Sequence, residues 1–127
     1  MITNNSTRLR STVIEDKLKK FGGDDFHLPL ENIYTSAYIT GQHLSRGGEV
    51  KKVYVVGEQG LKDELSLAGL EVVNCVKTSK SYVHTHEPTM SLDEFGSYEV
   101  DKDVQAVVAG VHYDFTYRTL CIASLYL

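Results

Sequence analysis

The most informative part of this chain is its opening, Ile2-Thr3-Asn4-Asn5-Ser6, which is followed at once by Thr7-Arg8-Leu9-Arg10. An apolar residue that leads into a hydroxyl, two amides and a helical pattern is typical of a strand end, a tight turn and a helix start. Ligands of open α/β sheets lie at the carboxyl ends of strands, and the unpaired amides of a helix N-terminus attract anions. The opening therefore predicts an anion site, with a hydroxyl from Thr3 and hydrogen-bond donors from Asn4 and Asn5.

Two arginines strengthen this prediction. Arg8 and Arg10 stand in the first turn of the predicted helix, where the positive end of the helix dipole favours Asp or Glu instead. Their presence indicates that an anion lies nearby. The same residues also allow a simpler interpretation, in which Asn5 or Ser6 is an ordinary N-cap and the two arginines point into solvent.

Helical and extended patterns alternate through most of the chain. Apolar residues at helical spacing predict the first helix, and Gly22-Gly23 ends it. Alternation of strands and helices favours the α/β class with mostly parallel strands. The predicted elements are a helix at 7–20, an extended connection at 27–33, a helix at 34–44, a buried strand at 52–56, a helix at 61–68, strands at 70–76 and 103–111, and a last helix capped by Thr116.

Composition excludes several classes of protein. The 127 residues are enough for one domain with its own core, and 42% apolar with 24% charged residues is ordinary for a soluble globular protein. A net charge of -4 provides no basic surface, so neither nucleic acid nor a membrane is an expected partner. Cys75 and Cys121 lack metal-type spacing and are predicted to be reduced thiols. Without a membrane span or a signal-peptide core, the expected location is the cytoplasm.

Four segments resemble one enzyme family, and they do so in the same order. The opening, Ile-Thr-Asn-Asn-Ser-Thr with two spaced basic residues, resembles the second motif of haloacid dehalogenase superfamily phosphatases. It is most similar to the branch of p-nitrophenyl phosphatases and phosphoglycolate phosphatases, which includes chronophin. The three later segments are Ile33-Tyr34-Thr35-Ser36-Ala37, Gly57-Glu58-Gln59-Gly60-Leu61 and Val107-Val108-Ala109-Gly110-Val111-His112-Tyr113-Asp114-Phe115-Thr116-Tyr117. The resemblance covers nearly the whole chain and thins between residues 77 and 102.

The resemblance implies a magnesium-dependent phosphatase, built from a Rossmann-like core and an α/β cap inserted after the second motif. Residues 1–33 would form the edge of the core, and residues 34–127 most of the cap. Thr3 would bind the transferring phosphoryl group through its hydroxyl, with Asn4 and Asn5 completing the cradle. The implied substrate is a small phosphorylated metabolite, and the implied assembly is a homo-oligomer formed through the cap.

The chain departs from this family at both ends. In the family, an aspartate on the first core strand attacks phosphorus, a second aspartate acts as acid and base, and later motifs supply a lysine and acidic Mg²⁺ ligands. No strand precedes Ile2 to carry the nucleophile, and the sequence stops at Leu127 before the later motifs. We therefore expect a fragment that has no catalytic residue and no magnesium ligand and is inactive alone.

A further departure lies in the cap. Beyond the glycine that matches Gly110, the branch often has Asp-x-His before a Phe, whereas this chain has His112-Tyr113-Asp114. The exchange places the Asp114 carboxylate where the resemblance implies a substrate-facing imidazole. A carboxylate at that position is expected to repel an anionic substrate.

Other polar clusters have weaker claims to chemistry. Asp24-Asp25 is typical of a solvated loop, and His84-Thr85-His86-Glu87 could bind zinc but is followed by no further ligand of recognisable spacing. It lies in the stretch 77–102, which has no strong periodicity and is predicted to be a surface excursion with a short turn around residues 92–95. Asp101-Lys102-Asp103 has nucleophile-like spacing, but it precedes its strand and is interpreted as a solvated strand start. The Gly57-Glu58-Gln59-Gly60 turn lacks P-loop residues and is interpreted as structural.

Two other functions stay open. The short chain could be a non-catalytic α/β module that binds a small anion or a partner through its cap surface. An unrelated nucleotide-binding domain is disfavoured because the glycine fingerprint of such domains is missing.

Overall fold

The structure is a computed structural model that describes residues 1–13, 19–23, 28–73 and 89–127. These residues form parallel strands with helices between them, which confirms the predicted α/β class. The strands are β1 (Ile2–Thr3), β2 (Tyr34–Thr35), β3 (Lys52–Val56), β4 (Glu71–Val73) and β5 (Ala106–Ala109). The helices are α1 (Arg10–Val13), α2 (Lys19–Gly22), α3 (Ser36–Ser45), α4 (Gln59–Leu67), α5 (Leu92–Ser97) and α6 (Tyr117–Ser124), with a 3-10 turn at Leu30–Asn32.

The described strands form two parallel sheets. β1 pairs with β2, and their register places Thr3 beside Thr35. In the second sheet β3 lies between β4 and β5. The central strand is the β-branched run at 52–56 that the sequence predicts, and such continuous apolar runs are typical of strands covered on both faces.

The side chains of β3 alternate between two parts of the core. Val53 and Val55 pack with α3 and α4, whereas Tyr54 and Val56 pack on the opposite face with Ile122 of α6. The Tyr54 ring is fully buried and stacks on Tyr126, with 4.5 Å between ring centroids. The part of the core that contains Val53 and Val55 has five further buried residues, which are Ala37, Leu61, Leu65, Leu70 and Val108.

Gly41 lies where α3 and α4 come closest. A Cβ atom at this position would lie 3.0 Å from the Cβ of Ala68 and 3.2 Å from the carbonyl oxygen of Glu64. From sequence, Gly41 only weakens the predicted helix. In the structure its missing side chain lets two helix backbones approach each other, which offsets the poor helix propensity of glycine.

The predicted helix at 34–44 is wrong at its start. Tyr34 and Thr35 form β2, and α3 begins only at Ser36. The Thr35 side chain is buried, and its hydroxyl oxygen accepts a hydrogen bond from the backbone nitrogen of Tyr38 at 3.1 Å. Thr35 ends β2 and also caps α3, so the two elements follow each other directly. A strand of two residues is too short to show an alternating pattern in the sequence.

The first helix begins later than predicted. α1 starts at Arg10 because the side-chain oxygen of Asn5 accepts the backbone N–H of Thr7 at 3.0 Å, which holds the preceding residues in a turn. The sequence predicts that the helix at 7–20 ends at Gly22-Gly23. In the structure α2 ends at Gly22, and Gly23 has a φ of 75°, as that pair predicts. Residues 14–18 lie outside the described residues.

The last strand is shorter than predicted. The backbone nitrogen of Asp103 donates to the Asp101 carboxylate at 3.0 Å, and that of Val104 donates to the Asp101 carbonyl at 3.2 Å. This turn occupies the start of the predicted strand at 103–111, so β5 begins only at Ala106. Of the strand predicted at 70–76, the structure describes β4, and residues 74–76 lie outside the described ranges.

The carboxyl-terminal part contains two capped helices. The turn predicted near residues 92–95 is the helix α5, which Ser91 and Glu94 start as a capping box. Thr116 caps α6 as predicted, with its hydroxyl oxygen 3.2 Å from the backbone nitrogen of Thr119. Arg118 of α6 donates to the Glu94 carboxylate at 3.2 Å and thereby joins the two helices.

Some predictions cannot be compared with the structure. Asp24-Asp25, His84-Thr85-His86-Glu87 and Cys75 lie outside the described residues. Cys121 is a half-buried free thiol. Among the described helices, none combines the length and the apolarity that crossing a membrane requires.

Candidate functional site

The predicted anion loop follows the end of β1. Thr3 is the last residue of that strand and is the register partner of Thr35, the last residue of β2, so both strands end at the same edge of the sheet. The next residue, Asn4, is exposed, and its carbonyl oxygen accepts a hydrogen bond from the Ser36 hydroxyl at 3.0 Å. The structure therefore places Thr3, Asn4 and Asn5 at the carboxyl end of a parallel strand, as the sequence predicts.

Hydrogen bonds within the loop determine its shape. The Thr3 hydroxyl oxygen accepts the backbone N–H of Asn5 at 3.3 Å. The side-chain oxygen of Asn5 accepts both the backbone N–H of Thr7, at 3.0 Å, and its hydroxyl, at 2.9 Å. These contacts use the oxygens of Thr3 and Asn5 as acceptors. The hydroxyl hydrogen of Thr3 and the NH₂ group of Asn5 are then the groups that can donate to an anion.

The loop after β5 lies against the anion loop. Ser6 is buried, and a Cβ atom on Gly110 would lie 3.3 Å from the Ser6 hydroxyl oxygen and 2.8 Å from Cδ2 of Leu61. The backbone nitrogen of Gly110 donates to the Val56 carbonyl at 2.8 Å, which continues the pairing of β5 with β3. Gly110 therefore packs closely on Ser6 and Leu61, and the segment that leads to Asp114 starts next to the predicted anion loop.

The first helix of the chain is anchored on α4. The Thr7 carbonyl oxygen accepts the Gly60 N–H at 3.3 Å, and a Cβ on Gly60 would lie 2.3 Å from the Cα of Arg8. Gly60 therefore serves a close backbone contact, in agreement with the interpretation of the Gly57-Glu58-Gln59-Gly60 turn as structural.

A protein carboxylate contacts the start of α1 through the backbone amide of Arg10. Glu64 is only 4% exposed, and its side chain accepts the backbone N–H of Arg10 at 2.5 Å. The guanidinium of Arg10 lies 3.7 Å from the centroid of the Tyr38 ring and donates to the Ile33 carbonyl at 3.4 Å. Arg10 thus has a structural role, whereas Arg8 is exposed. Sequence reasoning missed Glu64, whose signal is an acidic residue beside Leu65 on the apolar face of α4.

Glu58 holds the loop that contains Asp114. Its backbone N–H donates to the Val111 carbonyl at 3.0 Å, and one carboxylate oxygen accepts the Tyr113 N–H at 2.9 Å and lies 3.4 Å from Nδ1 of His112. The Tyr113 N–H holds the pKa of the Glu58 carboxyl below its usual range, and His112 adds to that shift. Asp114 itself is exposed. Glu58 was also missed from sequence, because its partners are remote in the chain.

A separate groove of about 390 Å³ lies between residues 7–12 and α4. It does not include Thr3, Asn4 or Asn5, so it is distinct from the predicted anion loop. Its lining residues are Thr7, Arg8, Leu9, Thr12, Gln59, Gly60 and Asp63.

The nucleophile-like spacing of Asp101-Lys102-Asp103 lies at the wrong end of the sheet for catalysis. These residues precede β5, and the Asp101 carboxylate is 2.8 Å from the Nζ of Lys52, the first residue of β3. Parallel strands bind ligands at their carboxyl ends, which agrees with the interpretation as a strand start. Within residues 1–13, 19–23, 28–73 and 89–127, no three His, Cys, Asp or Glu side chains group closely enough to hold a metal ion.

Comparison with known proteins identifies the family. The model of a family described as haloacid dehalogenase-like hydrolase matches residues 1–71, which is more than half of the 127-residue chain. The chain belongs to the haloacid dehalogenase-like hydrolases. The matched region contains the whole β1–α1 segment, the β2–α3 segment and the strand β3, so it includes the predicted anion loop.

Two curated relatives of this haloacid dehalogenase-like chain are phosphatases. It is 31% identical over 129 residues to the 4-nitrophenylphosphatase of Schizosaccharomyces pombe, a match that covers 99% of this chain and 40% of that protein. It is 32% identical over 128 residues to the chloroplastic phosphoglycolate phosphatase 1A of Arabidopsis thaliana, covering 95% of this chain and 32% of that protein. The chain therefore spans less than half the length of these relatives.

Solved structures of the same fold agree. The hypothetical protein PH1952 of Pyrococcus horikoshii superimposes with a TM-score of 0.67 at 31% identity, covering 98% of this chain and 40% of that one. The glycerol phosphate phosphatase Rv1692 of Mycobacterium tuberculosis, solved in complex with magnesium, gives a TM-score of 0.62 at 22% identity, covering 98% of this chain and 30% of that one. The fold of this haloacid dehalogenase-like chain is thus a recurring one.

Proposed function

We propose that this chain forms part of a phosphomonoester hydrolase of the 4-nitrophenylphosphatase and phosphoglycolate phosphatase type. In this proposal residues 3–5 bind the phosphoryl group of a small phosphorylated metabolite. The observation that carries the proposal is the position of Thr3, which ends a parallel strand and is followed by a turn held by its own hydrogen bonds. The family and the two phosphatase relatives support the reaction class.

Each loop residue has a distinct role in this proposal. The Thr3 hydroxyl accepts the Asn5 N–H, so its own hydrogen is available to a phosphoryl oxygen. Asn5 presents the NH₂ group of a carboxamide whose oxygen is already bonded to Thr7, and exposed Asn4 adds a second amide. Donors held in advance by the fold favour phosphoryl transfer, because positioning and charge neutralisation supply most of its catalysis.

We propose that the nucleophile and the metal ligands of the reaction lie outside these 127 residues. The described residues do not fit a magnesium site by themselves, so no step is assigned through the metal. Magnesium dependence of the complete enzyme is what the resemblance to haloacid dehalogenase phosphatases implies, and we include it in the proposal. We therefore propose that the 127-residue chain binds phosphate but does not hydrolyse phosphomonoesters alone.

Binding of inorganic phosphate to ¹⁵N-labelled protein, followed by amide chemical shifts, tests the proposal. We expect shifts at Thr3, Asn4 and Asn5, and a Thr3→Ala variant with an affinity reduced about threefold to tenfold, the effect of one lost hydrogen bond. Thr40→Ala is the matched control, because the Thr40 hydroxyl bonds only its own helix, at the Ser36 carbonyl. Shifts confined to other residues, or equal affinities of the two variants, would contradict the site.

Hydrolysis of 4-nitrophenyl phosphate with added magnesium tests the statement that the chain is inactive alone. We expect no turnover above the rate without protein. Robust turnover that Thr3→Ala abolishes would overturn that statement and would leave the site assignment in place.

A second function, a non-catalytic module that binds a partner, is favoured by exposed apolar residues near the loop after β5. Val111, Tyr113, Phe115 and Tyr117 are all exposed and lie within seven residues of the chain, and large exposed apolar patches mark interaction sites. A second copy of the chain is the partner we propose. Failure to bind phosphate together with a stable dimer would favour this function.

A further inference from the structure

Glu58 does not use its side chain as its position predicts. It is the N-cap of α4, a position where a side-chain oxygen can accept an N–H from the first turn of the helix. In this protein the Glu58 side chain makes no capping hydrogen bond to α4. Its carboxylate reaches instead to residues 112 and 113, which are 54 and 55 residues further along the chain.

The Glu58 contacts extend the sheet beyond its last paired residues. The Gly110 N–H donates to Val56, the Glu58 N–H donates to Val111, and the Glu58 carboxylate then accepts the Tyr113 N–H. The Tyr113 side chain is 77% exposed, and Asp114 is exposed as well. The Glu58 backbone N–H and carboxylate therefore hold this loop at Val111 and at Tyr113.

The loop held by Glu58 lies next to the anion loop. Gly110, at its start, packs so closely on Ser6 that a Cβ atom would lie 3.3 Å from the Ser6 hydroxyl oxygen. Ser6 directly follows the residues 3–5 to which phosphate binding is assigned above. A phosphomonoester bound there would bring its organic part near the loop that carries His112 and Asp114.

We propose that Glu58 is a positioning residue, which fixes residues 111–114 beside the anion loop and thereby controls selection among phosphomonoesters. The proposal rests on the proposed function. It predicts that loss of Glu58 changes the preference between 4-nitrophenyl phosphate and 2-phosphoglycolate and leaves the affinity for inorganic phosphate unchanged. Since Asp114 disfavours anionic organic groups, the wild-type protein prefers 4-nitrophenyl phosphate to 2-phosphoglycolate.

The test compares the wild-type protein with Glu58→Ala, Glu58→Gln and Glu99→Gln. Gln retains a side-chain oxygen that can accept the Tyr113 N–H, and so it serves as the conservative rescue. Glu99 is an exposed carboxylate two residues before Asp101, which lies at the opposite end of the sheet. Binding constants for inorganic phosphate, 4-nitrophenyl phosphate and 2-phosphoglycolate are measured for each protein, together with the chemical shift of the Tyr113 amide.

In Glu58→Ala we expect the preference between the two esters to fall about threefold to tenfold, the effect of losing one or two hydrogen bonds. Phosphate affinity should stay within about twofold, and the Tyr113 amide should shift upfield because its acceptor is gone. Glu58→Gln and Glu99→Gln should retain the wild-type preference.

An equal loss of affinity for all three compounds in Glu58→Ala would show a merely structural role and overturn the inference. An unchanged preference would overturn it as well, while phosphate binding sensitive to Thr3→Ala would leave the proposed function intact. If the wild-type protein binds no phosphate, the proposed function fails and this inference fails with it.

Discussion

The buried carboxylate of Glu64 accepts the backbone N–H of Arg10 at 2.5 Å, across 54 residues of sequence. This bond supplies an anion to the amino-terminal end of α1, whose own first turn has no acidic residue. Together with the contact of Gly60 on Arg8, it joins the segment after the anion loop to α4. The geometry of the predicted anion loop is thus coupled to α4, the helix that follows strand β3 of the second sheet.

Replacing Glu64 tests that coupling. Glu64→Ala should lower the free energy of unfolding by about 1–3 kcal/mol, because a buried hydrogen bond is lost and the Arg10 amide is left without its acceptor. Glu64→Gln, which retains an acceptor oxygen, should lower the free energy of unfolding by less than Glu64→Ala does. Urea unfolding followed by circular dichroism measures both, with exposed Glu31→Ala as the control. Equal stability of Glu64→Ala and the control would show that the bond contributes nothing.

Replacing Gly60 tests the same coupling between the anion loop and α4, by adding a side chain that clashes with the Arg8 backbone. Gly60→Ala should lower stability by about 1–3 kcal/mol and weaken phosphate binding, because the new Cβ displaces the Arg8 backbone and distorts the preceding loop. Gly96→Ala in α5 is a matched control, since a Cβ there meets no atom within 4 Å. That control should be stabilising by about 0.5–1 kcal/mol, as usual for glycine inside a helix. Thermal unfolding and a phosphate titration distinguish the two variants, and a Gly60→Ala protein as stable as Gly96→Ala would contradict the packing.

Acid stability should depend on Lys52. Its Nζ lies 2.8 Å from both the Glu71 and the Asp101 carboxylates, and the Lys52 ammonium holds the pKa of Asp101 below its usual value of about 3.9. A carboxyl whose pKa is lowered on folding stabilises the protein above its unfolded pKa, and this contribution disappears as the pH falls through the folded pKa. We therefore expect the wild-type protein to lose stability below about pH 4, and Lys52→Met to lose less over the same interval.

Urea unfolding at a series of pH values from 7 to 2 measures the Lys52 effect, with exposed Lys51→Met as the control. Parallel pH profiles of the wild-type and Lys52→Met proteins would show that the ion pairs do not contribute.

Self-association should follow from the exposed apolar residues after β5. Phe115 is 53% and Leu120 is 51% exposed, near the exposed rings of Tyr113 and Tyr117 in the chain. We expect wild-type oligomers in analytical ultracentrifugation and a smaller association constant for the double variant Phe115→Ser and Leu120→Ser. Leu67→Ser on α4, also an exposed leucine, should not change association. A monodisperse wild-type monomer with a sharp cooperative melt would contradict the association.

Local patterns were enough to predict most of the fold. The β-branched run at 52–56 is the central strand, Gly22-Gly23 ends a helix, and Thr116 caps another. Each of these signals depends on residues within one turn or one strand, where periodicity and capping chemistry act. One error occurs where a single residue serves two elements, as Thr35 does at the end of β2 and the start of α3. The late starts of α1 and β5 follow from turns that the Asn5 and Asp101 side chains hold.

The amino-acid sequence by itself determined the α/β class, the position of residues 3–5 at the end of the first strand, and the family resemblance that the comparisons confirm. Only the tertiary structure showed that Glu64 caps the first helix, that Glu58 holds the loop before Asp114, and that Gly60 and Gly110 serve close contacts. The physical reason is distance along the chain. Strand and helix patterns arise between neighbouring residues, whereas these hydrogen bonds join groups 54 and 55 residues apart. Only the packing of α1 against α4 and the pairing of β3 with β5 bring those groups together.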